Sequence, residues 1–381
     1  MTHDIVIIGA GVAGSSLATV LAGHGWDVLL LERRQLPQHK VCGEFLSPES
    51  QASLRAMSLY DTVVALGPRP ITHARLIAPS GVRVRVELPG TAWGVSRLAL
   101  DFALAQAAEH AGAQVRLGVT ATAVQTSAAP YRITLRSASG QPALVQARAV
   151  VVACGRHPLP GLRPDRAEAR ARPTYVGVKC HYAGVTLPSE VRLYLFGGGY
   201  AGLAPIEGGR TNVCMLVTRE AFTRAGSSVA AMIEAAARAN PVLGRDLTGG
   251  RALPESEVAV APVDTGQPAV AWDRFARIGD AAVMIPPLCG DGMAMALRAA
   301  EVCAPLANDF LRGDRSLESW GAAYPAAWHH EFDRPVRMGR RLQALLGRPG
   351  LGSALLGLGA VLRPLPAWLV RATRGAQRPL T

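Results

Sequence analysis

Two rhythms of hydrophobic and polar residues divide the chain. Ile5-Val6-Ile7-Ile8 and Val28-Leu29-Leu30-Leu31 are unbroken apolar runs, the pattern of strands covered on both faces of a parallel sheet. Between them, residues 15–23 are rich in alanine and leucine and predict a helix, and Gly9-Ala10-Gly11-Val12-Ala13-Gly14 breaks strand from helix. Glu32 closes the second run. Strand, glycine turn, helix, strand and acid in this order predict a βαβ unit that holds a dinucleotide. Gly9 permits the tight turn, Gly11 lets backbone N–H groups reach a pyrophosphate, and Gly14 lets helix and strand close on each other. The helix start, at Ala13 and Gly14, presents partial positive charge to the phosphates. The Glu32 carboxylate is placed to accept hydrogen bonds from an adenosine ribose, with Arg33 as a neighbouring contact.

Ser47-Pro48-Glu49 reads as a helix start, with cap, first-turn proline and first-turn acid, for a helix to residue 59. Another helical stretch follows at 61–66. Residues 71–78 and 82–88 flank Pro79-Ser80-Gly81 and predict a hairpin. Ser96 caps a helix over 97–110 that stops at Gly112. Strands are expected at 115–125, 131–137 and 143–154, the last returning to the first sheet. Residues 156–172, rich in arginine and proline without a period, read as a crossover. The rhythm then becomes alternation. Segments 175–182, 191–196, 201–205 and 211–217 predict a second, antiparallel sheet, interrupted by Gly197-Gly198-Gly199. A helix over 227–239 and a strand over 257–263 follow. An apolar strand then ends in Gly279-Asp280, and Gly290-Asp291-Gly292-Met293 leads into a helix to residue 306. A last helix spans 317–338, and residues 342–371 mix apolar stretches with arginine and proline.

Composition changes this picture little. With 381 residues, 49% hydrophobic and 18% charged, the chain can bury a sizeable core, and global disorder is excluded. The net charge of +12 is carried almost wholly by arginine, with Lys40 and Lys179 as the only lysines. There is no basic cluster with interleaved aromatics, so no nucleic-acid partner is expected. Cysteines 42, 154, 180, 214, 289 and 303 form no CxxC pair or zinc-ligand spacing, which predicts reduced thiols and no metal. His329-His330 with Asp333 reads as a polar helix face. The first strand starts too early for a signal peptide and no apolar run spans a bilayer, so a cytoplasmic protein is expected.

Several ordered motifs now combine: GAGVAG with Glu32, Val41-Cys42-Gly43-Glu44 after the second strand, Arg97 at a helix start, and Gly279-Asp280 ahead of the Gly290–Gly292 turn. Together they resemble a flavoprotein of the p-hydroxybenzoate hydroxylase superfamily, in its geranylgeranyl-reductase-like branch, over residues 4–330. The resemblance implies an α/β fold: a Rossmann-like FAD-binding domain in discontinuous segments, an inserted antiparallel β-sheet substrate domain, and a C-terminal helical segment. The FAD domain is expected at 1–70, 97–168 and 266–330, the substrate domain at 71–96 and 169–265, and the helical segment at 331–381. FAD is implied as the cofactor. Asp280 accepts from its ribityl chain, Gly279 permits close backbone approach, and Gly290, Gly292 and Met293 set a helix start against the pyrimidine end. Arg97 either holds the cofactor or pairs with an acid. NAD(P)H, lacking a second Rossmann unit, is implied as a transient reductant.

The reaction stays open at this level. Hydroxylation of a hydrophobic aromatic or polyketide-like molecule by an NAD(P)H-dependent monooxygenase is the expectation, because that chemistry is commoner in the superfamily. The Cys-Gly-Glu segment points instead to reduction of an isoprenoid double bond. A non-catalytic, basic membrane- or nucleic-acid-binding protein is the rival of another class. Cys42 is a thiol at the flavin or a packed hydrophobe, and Glu44 a proton donor or a loop acid. Tyr194, Phe196, Tyr200 and Leu203 are candidate walls for a hydrophobic small-molecule substrate. Cys154-Gly155-Arg156 departs from the Asp-Gly motif of related hydroxylases, and residues 199–205 lack the tryptophans of flavin halogenases, so halogenation is not expected. The tail is either helices packed on the FAD domain or a peripheral membrane contact.

Overall fold

A computed structural model of the chain describes residues 2–125, 130–137, 140–156 and 174–346. The chain opens with β1 (Thr2–Ile8), α1 (Val12–Gly23) and β2 (Val28–Glu32), and β1 and β2 pair in parallel with Ile5 opposite Val28. Every residue of β2 is buried, as its unbroken apolar run requires. A short β3 (Phe45–Leu46), α2 (Ser50–Ala56) and α3 (Tyr60–Val64) lead to the hairpin of β4 (Arg69–Ile77) and β5 (Arg83–Gly94). Ser47 does not cap α2: the helix starts three residues later behind Glu49, with no side-chain cap bond. Ser96 does cap α4 (Arg97–His110), its hydroxyl accepting from Ala99 N at 3.1 Å.

The single strand expected over 115–125 is two, β6 (Gln114–Leu117) and β7 (Val119–Gln125). Gly118, at φ +71°, turns the chain between them. Consequently β6 pairs in parallel with β2, while β7 pairs antiparallel with β8 (Tyr131–Ser137), which continues into β9 (Pro142–Val152). The first sheet runs β6-β2-β1-β9-β8-β7, with β15 (Ala276–Arg277) against the end of β9. The expected crossover at 157–172 and the tail beyond residue 346 lie outside the described residues.

The second sheet adds β10 (Tyr175–Ala183), β11 (Glu190–Phe196), β12 (Gly199–Ile206), β13 (Arg210–Thr218) and β14 (Arg251–Val263), in the order β14-β10-β13-β12-β11-β4-β5-β3. Gly197 and Gly198 make the turn between β11 and β12. Helices α5 (Arg219–Arg224), α6 (Val229–Ala239) and α7 (Pro241–Leu247) connect β13 to β14. They share a core with Val176, Val178, Cys180, Tyr194, Phe196, Leu203 and Val213, which all point to one side of the sheet. The alternate residues point the other way, toward the first sheet. Finally α8 (Gly292–Arg312) packs on α1, and α9 (Leu317–Leu346) drives Trp320, Tyr324, Trp328 and Phe332 into the core beside it. Among the described residues no helix is long and apolar enough to cross a membrane.

Candidate active site

Between the strand ends of the first sheet and the open face of the second lies a cavity of about 750 Å³. At one end it meets the glycine turn. A Cβ at Gly14 would land on the carbonyl oxygen of Gly9, and one at Gly9 on that of Ala153, so helix, turn and strand close only with glycine. Gly11 differs: a Cβ there meets only Arg97 Nη2, at 3.6 Å, so its backbone stands open to the cavity. The first turn of α1 has no side-chain cap, which leaves its N–H groups for an anion. Glu32 is buried, accepting from Ala10 N at 3.1 Å and Arg34 N at 3.2 Å, and lines the cavity with the exposed Arg33.

Gly279, at φ +59°, brings the next residue, Asp280, to the same cavity, since a Cβ on Gly279 would stand 3.3 Å from Ala13 Cβ. Gly11 and Asp280 therefore face one cleft. The Asp280 carboxylate takes no hydrogen bond from another described residue. Burial pushes its pKa up, an effect opposed by Arg97 and Arg156. A carboxylate held this way accepts readily from hydroxyl groups. Gly290, at φ +71°, also lines the cavity, packed on Phe45. Gly292 borders a small recess behind Asp280, while the Met293 side chain is buried in the core and contributes only its place at the start of α8. The uncapped helix, the open Gly11 backbone and the unpartnered Asp280 fit FAD.

Arg97 unites the two expectations for it. Its guanidinium forks onto Asp101, Nε to Oδ1 at 2.7 Å and Nη2 to Oδ2 at 2.8 Å, and still borders the cavity beside Gly11. Asp101 is fully buried, and Lys40 Nζ reaches its Oδ2 at 2.7 Å. Burial would raise the Asp101 carboxyl, but Arg97 and Lys40 hold it below its usual range.

Glu44 is the hub of a second buried cluster. It sits at φ +55°, accepting from Arg97 N at 3.0 Å and Lys179 Nζ at 2.7 Å on Oε1, and from His181 Nε2 at 2.7 Å on Oε2. Lys179 and His181 are both fully buried. Burial would raise the Glu44 carboxyl, yet His181 and Lys179 together hold it low. The expectation of Glu44 as proton donor is thus corrected: it is an ionised acceptor with both oxygens committed. Cys42 faces the cavity, its carbonyl held by Asn212 Nδ2 at 3.0 Å. Burial pushes its thiol up more than Arg97 draws it down, which favours the thiol over the thiolate.

The substrate-wall expectation is corrected by strand parity. Tyr194, Phe196 and Leu203 lie under α5–α7, and Tyr194 is fully buried with its hydroxyl on Asp246 at 2.5 Å. Tyr200 does border the cavity. Its hydroxyl is buried without a partner among the described residues, and burial keeps it protonated by raising its pKa well above 10. The cavity face instead carries Val84, Leu76, Leu193, Gly202 and Cys214, opposite one another in register across five strands, and Lys179 extends the row. His39, Asp101 and His181 went unremarked in the sequence, and Lys179 was noted only as one of two lysines. The available signal was a lysine and a histidine two apart in an apolar strand, one facing the same way as the other.

Residues 2–161 match the FAD binding domain family. The chain is 28% identical to the menaquinone reductase of Mycobacterium tuberculosis over 91% of its own length and 84% of that protein. It is 27% identical to digeranylgeranylglycerophospholipid reductase 2 of Methanopyrus kandleri, covering 88% and 85%. The flavin-dependent brominase Bmp2 shares the fold, with a TM-score of 0.80 at 18% identity over 97% of this chain and 93% of that one. These matches bear out the resemblance to the superfamily and its geranylgeranyl-reductase-like branch.

Proposed function

The chain is an FAD-dependent oxidoreductase, and on that premise we propose that it reduces a carbon–carbon double bond in a long, isoprenoid-like substrate, with NAD(P)H as transient reductant. The observation that carries this reading is the apolar row Val84–Leu76–Leu193–Gly202–Cys214, which continues from the FAD cleft across the second sheet. A hydrocarbon chain lying there leaves water, at roughly 0.8 kcal/mol for each buried methylene. Gly202 keeps the floor low, because a Cβ there meets only Leu193 Cδ2 at 3.4 Å and Cys214 O at 3.7 Å. The names of the mycobacterial and archaeal relatives, reductases of a quinone and of a prenylated lipid, support the same class.

Bound FAD supplies the electrons as hydride. The chain's part is to hold it through the α1 start, Glu32, Arg97 and Asp280, and to keep water off the double bond with the apolar floor. The test is to mix reduced enzyme with menaquinone under argon and follow flavin absorbance and product mass. Flavin reoxidation is expected, with a product whose side chain keeps two added hydrogens after air returns any quinol to quinone. Turnover only in air, with oxygen in the product, would replace this reading by the hydroxylase.

A further inference from the structure

Reduction of a double bond needs a proton as well as a hydride, and Glu44 has none to give. His39 lines the cavity only partly buried, and its Nδ1 lies 3.1 Å from Lys179 Nζ. An ammonium group only donates, so Nδ1 accepts and the ring hydrogen sits on Nε2. That Nε2 has no partner among the described residues. Lys179 is anchored behind it by Glu44, and the His181 ring meets His39 edge-on at 5.0 Å. We propose that His39, backed by Lys179, delivers the proton that completes reduction of the substrate double bond. This rests on the reductase reading above.

The step balances. One alkene carbon gains the hydride from the reduced cofactor, with its electron pair. The other carbon forms a C–H bond with the proton leaving His39 Nε2, as Nδ1 takes a proton from Lys179. Water at the exposed side of His39 then returns a proton along the same path. The groups facing His39 are Lys179, His181, Glu44 and Arg210. Burial, then the charges of Lys179 and His181, push its pKa down to about 4, with Glu44 opposing them. At neutral pH it is an uncharged N–H donor, and Lys179 holds the reserve proton. Glu44 fixes Lys179 in place at 2.7 Å, which makes it a positioning residue.

Two kinds of measurement test this. In His39→Gln, flavin reduction by NAD(P)H should keep its rate, while reoxidation coupled to hydrogenation of the menaquinone side chain under argon should fall at least tenfold. Added imidazole should partly restore that step in His39→Ala. Independently of turnover, nitrogen NMR of the histidine-labelled full chain should show His39 as the Nε2–H tautomer, titrating near pH 4. In Lys179→Met its titration should move up toward 6.5, and if that variant does not fold, His39→Gln still decides. Wild-type reoxidation rates in His39→Gln, or a spectrum with the proton on Nδ1, would overturn the proposal. If the wild type reduces no prenylated substrate, the reductase reading fails with it.

Discussion

On the helix-covered face of the second sheet, Val178, Tyr194, Leu203 and Val213 are fully buried beneath α5–α7. One residue along each of the same strands, the opposite face carries Lys179, Leu193, Gly202 and Cys214. The first face satisfies itself: it is apolar, closed, and its one buried phenol is bonded to Asp246. The second contains a glycine where a side chain would fit, a hydroxyl with no partner among the described residues and a lysine buried in an apolar strand. None of these favours folding. Their presence on one parity alone teaches that stability and chemistry are separated here by a single step along the strand.

The largest expected effect breaks the cluster at the edge of that second face. Glu44→Gln leaves Lys179 buried without its counter-charge and should cost about 3–5 kcal/mol, read by thermal or urea unfolding. An unchanged midpoint would mean that the cluster is not the closed charge pair described. Next comes the contrast of faces itself. Leu203→Ala on the closed face should cost roughly 2–5 kcal/mol, and Leu193→Ala on the cavity face less than half as much. Equal losses would erase the distinction. Gly202→Phe should leave stability within about 1 kcal/mol while weakening prenyl-substrate binding roughly 10- to 100-fold, about 1.4–2.7 kcal/mol. Binding assays on the folded variant decide it.

Acid sharpens the comparison more gently. The folded pKa of His39 is about 4, below its ordinary 6.5, so the unfolded chain takes up this proton first as pH falls. Native stability is therefore lost between pH 6.5 and 4, and Glu44, held low, adds a loss only below about 4.5. Urea midpoints across this range should show a shallower fall between pH 6.5 and 4.5 in His39→Gln than in the wild type. The smallest effect is that of Tyr200→Phe. Its buried hydroxyl has no partner among the described residues, so urea unfolding should show stability unchanged or up to about 1 kcal/mol higher.

The nucleotide end was legible because its residues are forced by the backbone. Gly9 and Gly14 admit no side chain, and a strand, turn, helix and acid must follow in order. The second sheet was legible as alternation, but not in its orientation. Both parities are apolar, and a one-residue slip exchanges the faces, so Tyr194, Phe196 and Leu203 were assigned to the wrong side while Tyr200 was not. Lys179 and His181 mark the cavity parity, yet their partner Glu44 lies 135 and 137 positions away in sequence. Local pattern cannot supply that pairing. Gly118 shows the same limit at short range: an apolar stretch looked continuous until its strands joined different neighbours.

The decisive measurement is a crystal structure of the chain with FAD and a prenylated quinone bound. The diphosphate is expected at Gly11, the ribityl chain at Asp280, and the prenyl chain over Leu193 and Gly202 with its double bond near His39. A prenyl chain seated on the other parity, or a flavin that does not reach from Gly11 to Asp280, would contradict that placement.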